Sequence, residues 1–450
     1  MKTKSGFIIA AVSSGSGKTT VTNGLLRAFV RKGLHVAPFK TGPDFIDTQF
    51  HRIAAGSDSI NLDVFMSDED HVRYLFNRYS SNSDVAVIEG VMGLFDGYDC
   101  RQGSAAHIAE LTGVPVVLVI NAASSAYSLA AVLSGFKNFD KRIKIAGVIF
   151  NNVASENHLR LLKTAAEDAG VTFLGYLKRN PKMTVPSRHL GLSLGDDDMI
   201  ESFVDCAADA VEGGIDIDLL LHLTQIDEVA KSRDALMANK YNDEVASSRK
   251  IAVAYDEAFN FVYPENLRAL GDTPRFGGEI IKFSPLRDAR MPDADFLYLP
   301  GGYPELYPAR LAANATMRES IKDYIDRGGY AFAECGGMLY LCEEIDGYEM
   351  CGLLPVKATM TNARLHLGYR TVKTKNFTIR GHEFHYSSVI EDETRIKEYL
   401  YPARQFDVRG NEVDTPVYRY KNAIAGYTHM YWGNNDVDIN GFYEDLYTQR

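Results

Sequence analysis

The chain has 450 residues, 46% of them hydrophobic and 24% charged, a composition that suits a large enzyme of two or more domains. Its formal net charge of −11 argues against general affinity for nucleic acid, because contacts to backbone phosphates need a basic face. No segment has the length and apolar character of a membrane span, and the first residues lack the apolar region of a signal peptide. The five cysteines show no Cys-x-x-Cys spacing, so we expect a cytoplasmic protein with neither a zinc site nor a disulfide framework.

The first predicted strand, residues 7–12, leads into a phosphate-binding loop. The loop AAVSSGSGKTT (10–20) precedes a helical pattern, and strand, loop and helix in this order place backbone amides around phosphates. Lys18 can reach the β- and γ-phosphate oxygens, and the Thr19 hydroxyl can bind Mg²⁺. Val12 stands where the usual Walker pattern has its first glycine, so the loop is a variant. We predict an ATP site that includes Ser14, Gly15, Ser16, Gly17, Lys18, Thr19 and Thr20.

Further apolar runs in the first half predict a mostly parallel α/β sheet. They cover residues 85–88, 114–120 and 145–150 and are rich in β-branched residues, as strands buried on both faces are. Parallel sheets present ligands at the carboxyl ends of their strands. Asp44 and Glu89 follow or end apolar stretches, so we expect them to hold Mg²⁺ beside Thr19, with Asp47 and Asp96 as close alternatives.

A polar segment, residues 238–249, interrupts the alternation of strands and helices. We place a domain boundary there, which divides the chain into residues 1–240 and residues 250–450. A second alternation follows, with predicted strands at 251–255, 280–283, 296–299 and 331–334. This pattern predicts a second parallel α/β domain.

The last of these predicted strands ends on Cys335, which two glycines follow. A strand that delivers a thiol to a tight turn before a helix is typical of a nucleophile elbow. The first helix amides can lower the pKa of the thiol and hold an oxyanion. The second oxyanion donor is expected near the end of strand 296–299, so we predict an oxyanion hole formed by Gly302 and Gly336.

An ATP site and a cysteine nucleophile in one chain indicate a glutamine-dependent amidotransferase. The thiolate attacks the side-chain amide of glutamine and releases ammonia, and water then clears the thioester. Ammonia attacks a carboxylate that ATP has activated. Lys40 is expected to provide a second cation for the transferred phosphoryl group, because an acyl phosphate forms between two anions.

The motifs of both halves resemble those of one family, the cobyrinic acid a,c-diamide synthases of cobalamin biosynthesis. The second half resembles the family's class I glutaminase domain through YDEAFNFVYPENL (255–267), FSPL (283–286), LPGGYPE (299–305), AECGG (333–337), GHEFHYS (381–387) and AGYTH (425–429). The first half resembles its dethiobiotin-synthetase-like ATP domain through KTGPDFID (40–47), EGVMGLFDG (89–97) and SRHLGL (187–192).

This resemblance implies that ATP phosphorylates two side-chain carboxylates of a corrin-type macrocycle and that ammonia then displaces the phosphate. The co-substrates would be L-glutamine and ATP with Mg²⁺. His429 is similar to the family's histidine that makes the thiol more nucleophilic. Class I glutaminases usually continue His-x-Glu, but Met430 and Tyr431 follow here. The third member of the triad therefore stays open, and Glu383 either acts near the site or braces a strand.

The resemblance also implies several binding residues. Asn151 lies at a loop position that resembles the adenine-reading asparagine of the ATP family. The macrocycle pocket is expected to include Asp47, Asp96, Ser104, Tyr127 and Ser128.

Three alternatives remain open at this point. Hydrogenobyrinic acid and nickel sirohydrochlorin are amidated by enzymes that share these motifs. A variant P-loop in a long α/β domain also resembles nucleotide-switched ATPases, which would leave the cysteine domain without a function. The sequence does not determine the oligomeric state, for which a homodimer is one alternative.

Overall fold

The computed structural model describes residues 4–183, 197–226, 249–272, 277–434, 441–442 and 444–445. These residues form two compact units. The first contains 4–64, 68–183 and 197–226, and the second contains 65–67 and the described residues from 249 onward. The motif SRHLGL and residues 238–248, where the sequence predicts the domain boundary, lie outside the described residues.

The first unit alternates strands and helices along the chain. Its strands are Lys4–Ala11 (β1), Val36–Thr41 (β2), Ile60–Leu62 (β3), Val85–Glu89 (β4), Val116–Asn121 (β5), Ile145–Val153 (β6), Phe173–Lys178 (β7) and Gln225–Ile226 (β8). Its helices are Lys18–Arg31 (α1), Ile46–Ala55 (α2), Glu69–Ser80 (α3), Ala105–Thr112 (α4), Leu129–Phe139 (α5), Glu156–Asp168 (α6), Asp197–Gly214 (α7) and Ile217–Leu223 (α8).

The sheet of the first unit has the strand order β3-β2-β4-β1-β5-β6-β7. Neighbours on this path are parallel, and β8 adds an antiparallel pairing to β1. The apolar run of β1 is buried on both faces, which explains its lack of alternation. The chain adds strands on both sides of β1, so a topological switch point lies beside it. Ligands of open α/β sheets bind at such a point, beyond the carboxyl ends of the strands.

The second unit has more and shorter strands. They are Lys250–Ala254 (β9), Glu279–Phe283 (β10), Phe296–Leu299 (β11), Tyr330–Glu334 (β12), Cys342–Ile345 (β13), Tyr348–Glu349 (β14), Leu354–Thr359 (β15), His366–Lys373 (β16), Thr378–His385 (β17), Ser388–Glu391 (β18), Arg404–Phe406 (β19), Glu412–Val413 (β20), Val417–Tyr420 (β21), Ala423–Gly426 (β22) and His429–Met430 (β23). Its helices are Pro264–Asp272 (α9), Pro308–Ala313 (α10), Ala315–Asp326 (α11) and Gly336–Leu341 (α12).

The main sheet of the second unit has the order β10-β9-β11-β12-β22-β21, and β21 is its antiparallel edge strand. Two smaller sheets have the orders β14-β13-β15-β18 and β20-β19-β16-β17-β23. The predicted α/β class with parallel sheets is confirmed in both units. The smaller sheets were not predicted, because strands such as β16 are largely exposed and carry no continuous apolar run. None of the helices in the described part of the chain is long and apolar enough to cross a membrane.

Candidate active sites

The phosphate-binding loop of the first unit connects β1 to α1. Gly15 and Gly17 have φ angles of 75° and 99°, in the left-handed region that favours glycine. A Cβ atom on Gly17 would lie 2.0 Å from Nδ2 of Asn151, so only glycine fits there. Nδ2 of Asn151 donates to the Ser16 carbonyl at 3.1 Å, and Nζ of Lys18 donates to the Met92 carbonyl at 2.5 Å. Asn151 therefore braces the loop, and its predicted role in reading adenine stays a prediction.

Glu89, at the carboxyl end of β4, lies at the centre of a buried polar cluster. Its Oε1 accepts hydrogen bonds from the Thr19 hydroxyl at 2.8 Å and from Nζ of Lys40 at 3.0 Å. Lys40 also donates to Asp47 at 2.6 Å and lies 3.9 Å from Asp44. Burial alone would favour the neutral forms of Lys40 and Glu89. The carboxylates nevertheless raise the pKa of Lys40, and Lys40 and His51 hold the pKa of Glu89 well below its usual range. Both groups therefore stay charged. Six residues from three separate segments of the chain thus meet at the switch point.

Sequence reasoning missed His51 in this cluster. Its Nε2 lies 2.7 Å from the second carboxylate oxygen of Glu89, and its Nδ1 lies 3.0 Å from the hydroxyl of Ser59. His51 is in the middle of α2, and no loop or glycine signal marks it. The pairing of β2 with β4 brings the start of α2 next to Glu89. The role of His51 becomes visible only through this pairing.

A cavity of about 660 Å³ opens onto this cluster and the loop. The predicted site residues that line it are Ser14, Gly15, Gly17, Lys18, Thr19, Thr20, Lys40, Asp44, Asp47, Glu89 and Asn151. Ser16 is buried beneath the loop, where its hydroxyl donates to the Ser13 carbonyl. Asn152, Asn180 and Met183 also line the cavity and were not predicted.

The donors at the cavity fit Mg²⁺. Thr19, Asp44 and Glu89 offer a hydroxyl and two carboxylates, and Mg²⁺ prefers oxygen ligands, usually one or two carboxylates together with substrate phosphates. Within the described ranges, no group of three or more His, Cys, Asp or Glu side chains could hold a metal ion. The residues present therefore fit the predicted Mg²⁺ site, which stays a prediction.

Four of the residues predicted to contact the macrocycle lie outside the lining of this cavity. Ser104 is fully buried and caps α4, since its hydroxyl accepts from the His107 amide. The exposed Tyr127 donates to Asp168, and Asp96 accepts from the Gly93 amide. Capping gives Ser104 a structural role. Ser104, Tyr127, Ser128 and Asp96 stay predictions as macrocycle contacts.

In the second unit, Cys335 lies at a sharp turn between β12 and α12. Its φ of 46° and ψ of −107° are unusual for a residue with a side chain, and such strain is common at active sites. The Cys335 amide donates to the Gly426 carbonyl at 2.7 Å, and its thiol donates to the Phe384 carbonyl at 3.8 Å. The chain therefore forms the predicted strand, turn and helix around this thiol.

The two glycines predicted to form an oxyanion hole lie next to each other. A Cβ atom on Gly336 would be 3.0 Å from the Gly302 amide nitrogen, so the two backbones are in close contact. Gly302 has a φ of 154° and no room for a side chain, because a Cβ atom would lie 2.1 Å from the Ala258 carbonyl oxygen. Two backbone segments thus meet beside the Cys335 turn.

His429, on β23, is completely buried near the same turn. A Cβ atom on Gly301 would lie 2.1 Å from the His429 ring, so Gly301 makes room for the imidazole. The Phe384 carbonyl, which accepts the Cys335 thiol proton, also acts on the His429 ring, where it partly offsets the lowering of the His429 pKa by burial. The His429 ring stacks on His382 with ring centres 5.1 Å apart. The predicted nucleophile and base therefore face the same carbonyl group.

Glu334 is the carboxyl group next to His429. Its Oε2 lies 4.0 Å from Nδ1 of His429 and accepts from the Tyr298 hydroxyl at 2.7 Å, and its Oε1 accepts from the Met430 amide at 2.8 Å. Glu383, the residue that the sequence suggested, instead pairs with Arg370 at 2.7 Å. The sequence left two interpretations of Glu383 open, and the structure favours the one in which this residue braces a strand.

The Asn266 side chain explains the YPEN part of the sequence motif. Its Nδ2 donates to the Met430 carbonyl at 2.7 Å, and its Oδ1 accepts from the Trp432 amide at 2.8 Å. These bonds fix the strand that carries His429. Asn266 therefore positions the base.

Burial keeps the groups of this site neutral. It raises the pKa of the Cys335 thiol well above its usual value and that of Glu334 to about 8, and it lowers that of His429 to about 3. The sequence predicted that helix amides lower the thiol pKa, and the Gly336 amide does act in that direction. Burial and the nearby carboxylate of Glu305 outweigh it, so the pKa of the thiol is raised overall.

Family models match both halves of the chain. Residues 7–192 match the CobQ/CobB/MinD/ParA nucleotide binding domain, and residues 250–437 match the CobB/CobQ-like glutamine amidotransferase domain. The chain is 40% identical to the cobyrinate a,c-diamide synthase of Listeria innocua, over 95% of this chain and 96% of that protein. It is 43% identical to the hydrogenobyrinate a,c-diamide synthase of Brucella ovis, over 97% and 99% respectively.

The matched domains and the two sites define a glutamine-hydrolysing, amide-forming ligase with an ATP-binding domain. The nucleotide-binding match alone includes proteins named for MinD and ParA, but the second domain and the full-length relatives exclude a bare nucleotide switch. The chain belongs to the family of cobyrinate and hydrogenobyrinate a,c-diamide synthases.

Proposed function

We propose that this chain amidates the a and c side-chain carboxylates of cobyrinic acid, with glutamine as nitrogen donor and ATP as activator. One observation supports the proposal most strongly. A single chain of this family has both a nucleophile elbow at Cys335, beside His429, and a phosphate-binding loop beside Glu89. We assign residues 1–240 to the ATP-dependent amide ligase domain and residues 250–450 to the glutaminase domain.

The glutaminase half-reaction follows from the Cys335 turn. His429 takes the thiol proton, the sulfur attacks the amide carbon of glutamine, and the amides of Gly302 and Gly336 stabilise the oxyanion. The C–N bond breaks as the leaving nitrogen takes a proton, which releases ammonia and leaves a thioester. Water then hydrolyses the thioester to glutamate and restores the thiol.

The ligase half-reaction follows from the loop and the Glu89 cluster. The loop amides and Lys18 bind the phosphates of ATP, and Lys40 offsets the charge of the γ-phosphoryl group. Thr19, Asp44 and Glu89 would hold Mg²⁺, which supplies charge neutralisation when bound. A macrocycle carboxylate attacks the γ-phosphorus and ADP leaves, and ammonia then displaces phosphate from the acyl carbon to form the amide.

We assign the third position of the triad to Glu334, which faces His429 in place of the usual His-x-Glu carboxylate. Glu334→Gln is expected to lower the glutamine-dependent kcat by at least roughly 10-fold, because only a carboxyl group can ionise to face the imidazolium that forms on His429. The KM for glutamine and the ammonium-dependent rate should not change. Steady-state kinetics with each nitrogen source measure this effect.

Glu383→Gln is the matched control for this prediction, since it removes a buried carboxylate bound to Arg370. We expect it to lower the melting temperature while kcat with glutamine stays close to that of the parent. If Glu383→Gln reduced kcat and Glu334→Gln did not, the assignment of Glu334 would be wrong.

The substrate is tested by incubating the purified protein with glutamine, ATP, Mg²⁺ and one macrocycle at a time. With cobyrinic acid, we expect the product mass to show two successive carboxylate-to-amide conversions and then no further change, while glutamate and ADP accumulate. Relatives named for cobyrinate and for hydrogenobyrinate have similar identity to this chain, so hydrogenobyrinic acid is the essential comparison. Faster amidation of hydrogenobyrinic acid or of nickel sirohydrochlorin would reassign the substrate, and inactivity on all three would contradict the proposal.

A further inference from the structure

Three carboxyl groups near the Cys335 thiol, those of Glu305, Glu334 and Glu383, oppose its ionisation. Two of them have a clear partner. Glu334 accepts two hydrogen bonds and faces His429, and the charge of Glu383 is balanced by Arg370. Glu305 differs from both, because among the described residues it has no ion pair and accepts from no group of another residue.

Glu305 lies in the short 3₁₀ turn Pro304–Leu306, which Tyr303 separates from Gly302 of the proposed oxyanion hole. The turn packs against the nucleophile elbow, since a Cβ atom on Gly336 would lie 2.7 Å from Cδ of Pro304. The proposed site therefore holds this carboxylate beside the thiol. The contact joins the Pro304 ring to the backbone of Gly336, so the residue before Glu305 is fixed against the elbow.

The Glu305 carboxylate has no cationic partner. Among the described residues, no Lys, Arg or His nitrogen lies within ion-pair distance of it, and its Oε2 is buried without a hydrogen-bond partner. Burial raises its pKa to about 7, and the hydrogen bond from its own backbone amide only partly offsets this effect. A buried acceptor without a donor is costly, so its retention at this place suggests that a ligand supplies the donor.

We propose that Glu305 binds the α-ammonium group of glutamine and thereby selects this amino acid as nitrogen donor. This inference rests on the proposed function, because it takes Cys335 as the nucleophile that the glutamine amide must reach. Glutamine carries its amide at one end and an ammonium group near the other. A carboxylate next to the elbow can hold the ammonium while the amide carbonyl lies at the oxyanion hole.

Binding in this way also couples recognition to activation. In the free site the Glu305 carboxylate opposes formation of the Cys335 thiolate. A bound ammonium group cancels that repulsion, so the thiol ionises more readily when glutamine is present. A donor without the ammonium group would lose both the contact and this assistance.

The test compares L-glutamine with 4-carbamoylbutanoate, which keeps the amide and the carboxylate but lacks the α-amino group. Amide formation is measured with saturating ATP and macrocycle. The parent is expected to prefer glutamine by roughly 10- to 100-fold in kcat/KM, since a charged hydrogen bond is removed. In Glu305→Gln this preference should collapse through loss of activity with glutamine, while the rate with 4-carbamoylbutanoate is kept or rises, because the charge that opposes the thiolate is also removed.

Two variants control the experiment. Glu319→Gln changes an exposed carboxylate on α11 of the same unit and should keep the preference of the parent. Glu305→Asp keeps the charge and should retain part of the preference, so it decides the question if Glu305→Gln does not fold. Thermal melting reports whether each variant is folded, and ammonium-dependent amidation reports whether the ATP site is intact.

Three outcomes would overturn the role of Glu305: no preference in the parent, an unchanged preference in Glu305→Gln, or an equal loss with both donors. Failure of the proposed function looks different. It would appear as glutamine use that survives removal of Cys335, whatever the effect at position 305.

Discussion

Cys335→Ala is expected to abolish glutamine-dependent amidation, by at least about 1,000-fold, while amidation supported by ammonium salt continues at the parent rate. The thiol is needed only to release ammonia, and no other group at the turn can form the thioester. The carboxylate is activated at the Glu89 cluster, which this substitution does not touch. Product formation is measured with glutamine and with ammonium chloride in parallel assays.

Cys351→Ala is the matched control, because Cys351 is a second buried cysteine in the same hydrophobic core. It should keep glutamine-dependent activity in proportion to the folded fraction. Retention of glutamine use in Cys335→Ala would remove the thiol from the mechanism. Loss of ammonium use in the same variant would mean that the substitution damages more than the glutaminase site.

Glu89→Gln and Lys18→Ala are expected to lose amidation with either nitrogen source, each by at least about 100-fold. Glu89 binds the Thr19 hydroxyl and Lys40, and a neutral amide cannot offer the same charge to a metal ion or to that lysine. Lys18 lies in the phosphate loop itself. Ammonia cannot rescue these variants, because the macrocycle carboxylate is never activated. The assay is ADP release and amide formation with ammonium chloride.

Lys32→Ala provides the control for this pair, since it removes an exposed lysine at the other end of α1. Its activity should equal that of the parent with both nitrogen sources. Glu89 is buried with Lys40, so thermal melting must accompany its assay to separate unfolding from loss of chemistry. Ammonium-dependent turnover in a folded Lys18→Ala protein would contradict the phosphate role of the loop.

Local patterns in the sequence were sufficient to predict the fold class and the positions of both sites. The continuous apolar runs of β1, β4 and β12 are typical of buried parallel strands, and a strand followed by glycines predicts a turn before a helix. Lys18 and Cys335 stand in such turns, so their immediate neighbours reveal them. His429 was identified through the resemblance to a family, because its neighbours in the sequence do not mark it.

The partners of these residues could not be predicted, because they depend on which strands pair. His51, Glu305 and Glu334 belong to segments far apart in the chain from the groups that they face. Glu383 shows the reason most clearly. On β17 the neighbouring His382 pairs with His429, and successive side chains point to opposite faces, so Glu383 meets Arg370 instead.

The sequence by itself determined the class of enzyme, since an elbow and a phosphate loop are each encoded within about ten consecutive residues. Only the tertiary structure decided which carboxyl faces His429, which one lacks a cation beside Cys335, and that the thiol is neutral in the free site. Those properties arise from burial and from contacts between distant segments. The burial of each group and its distance from other charges are determined when the sheets assemble, so they cannot be read from any single segment of the sequence.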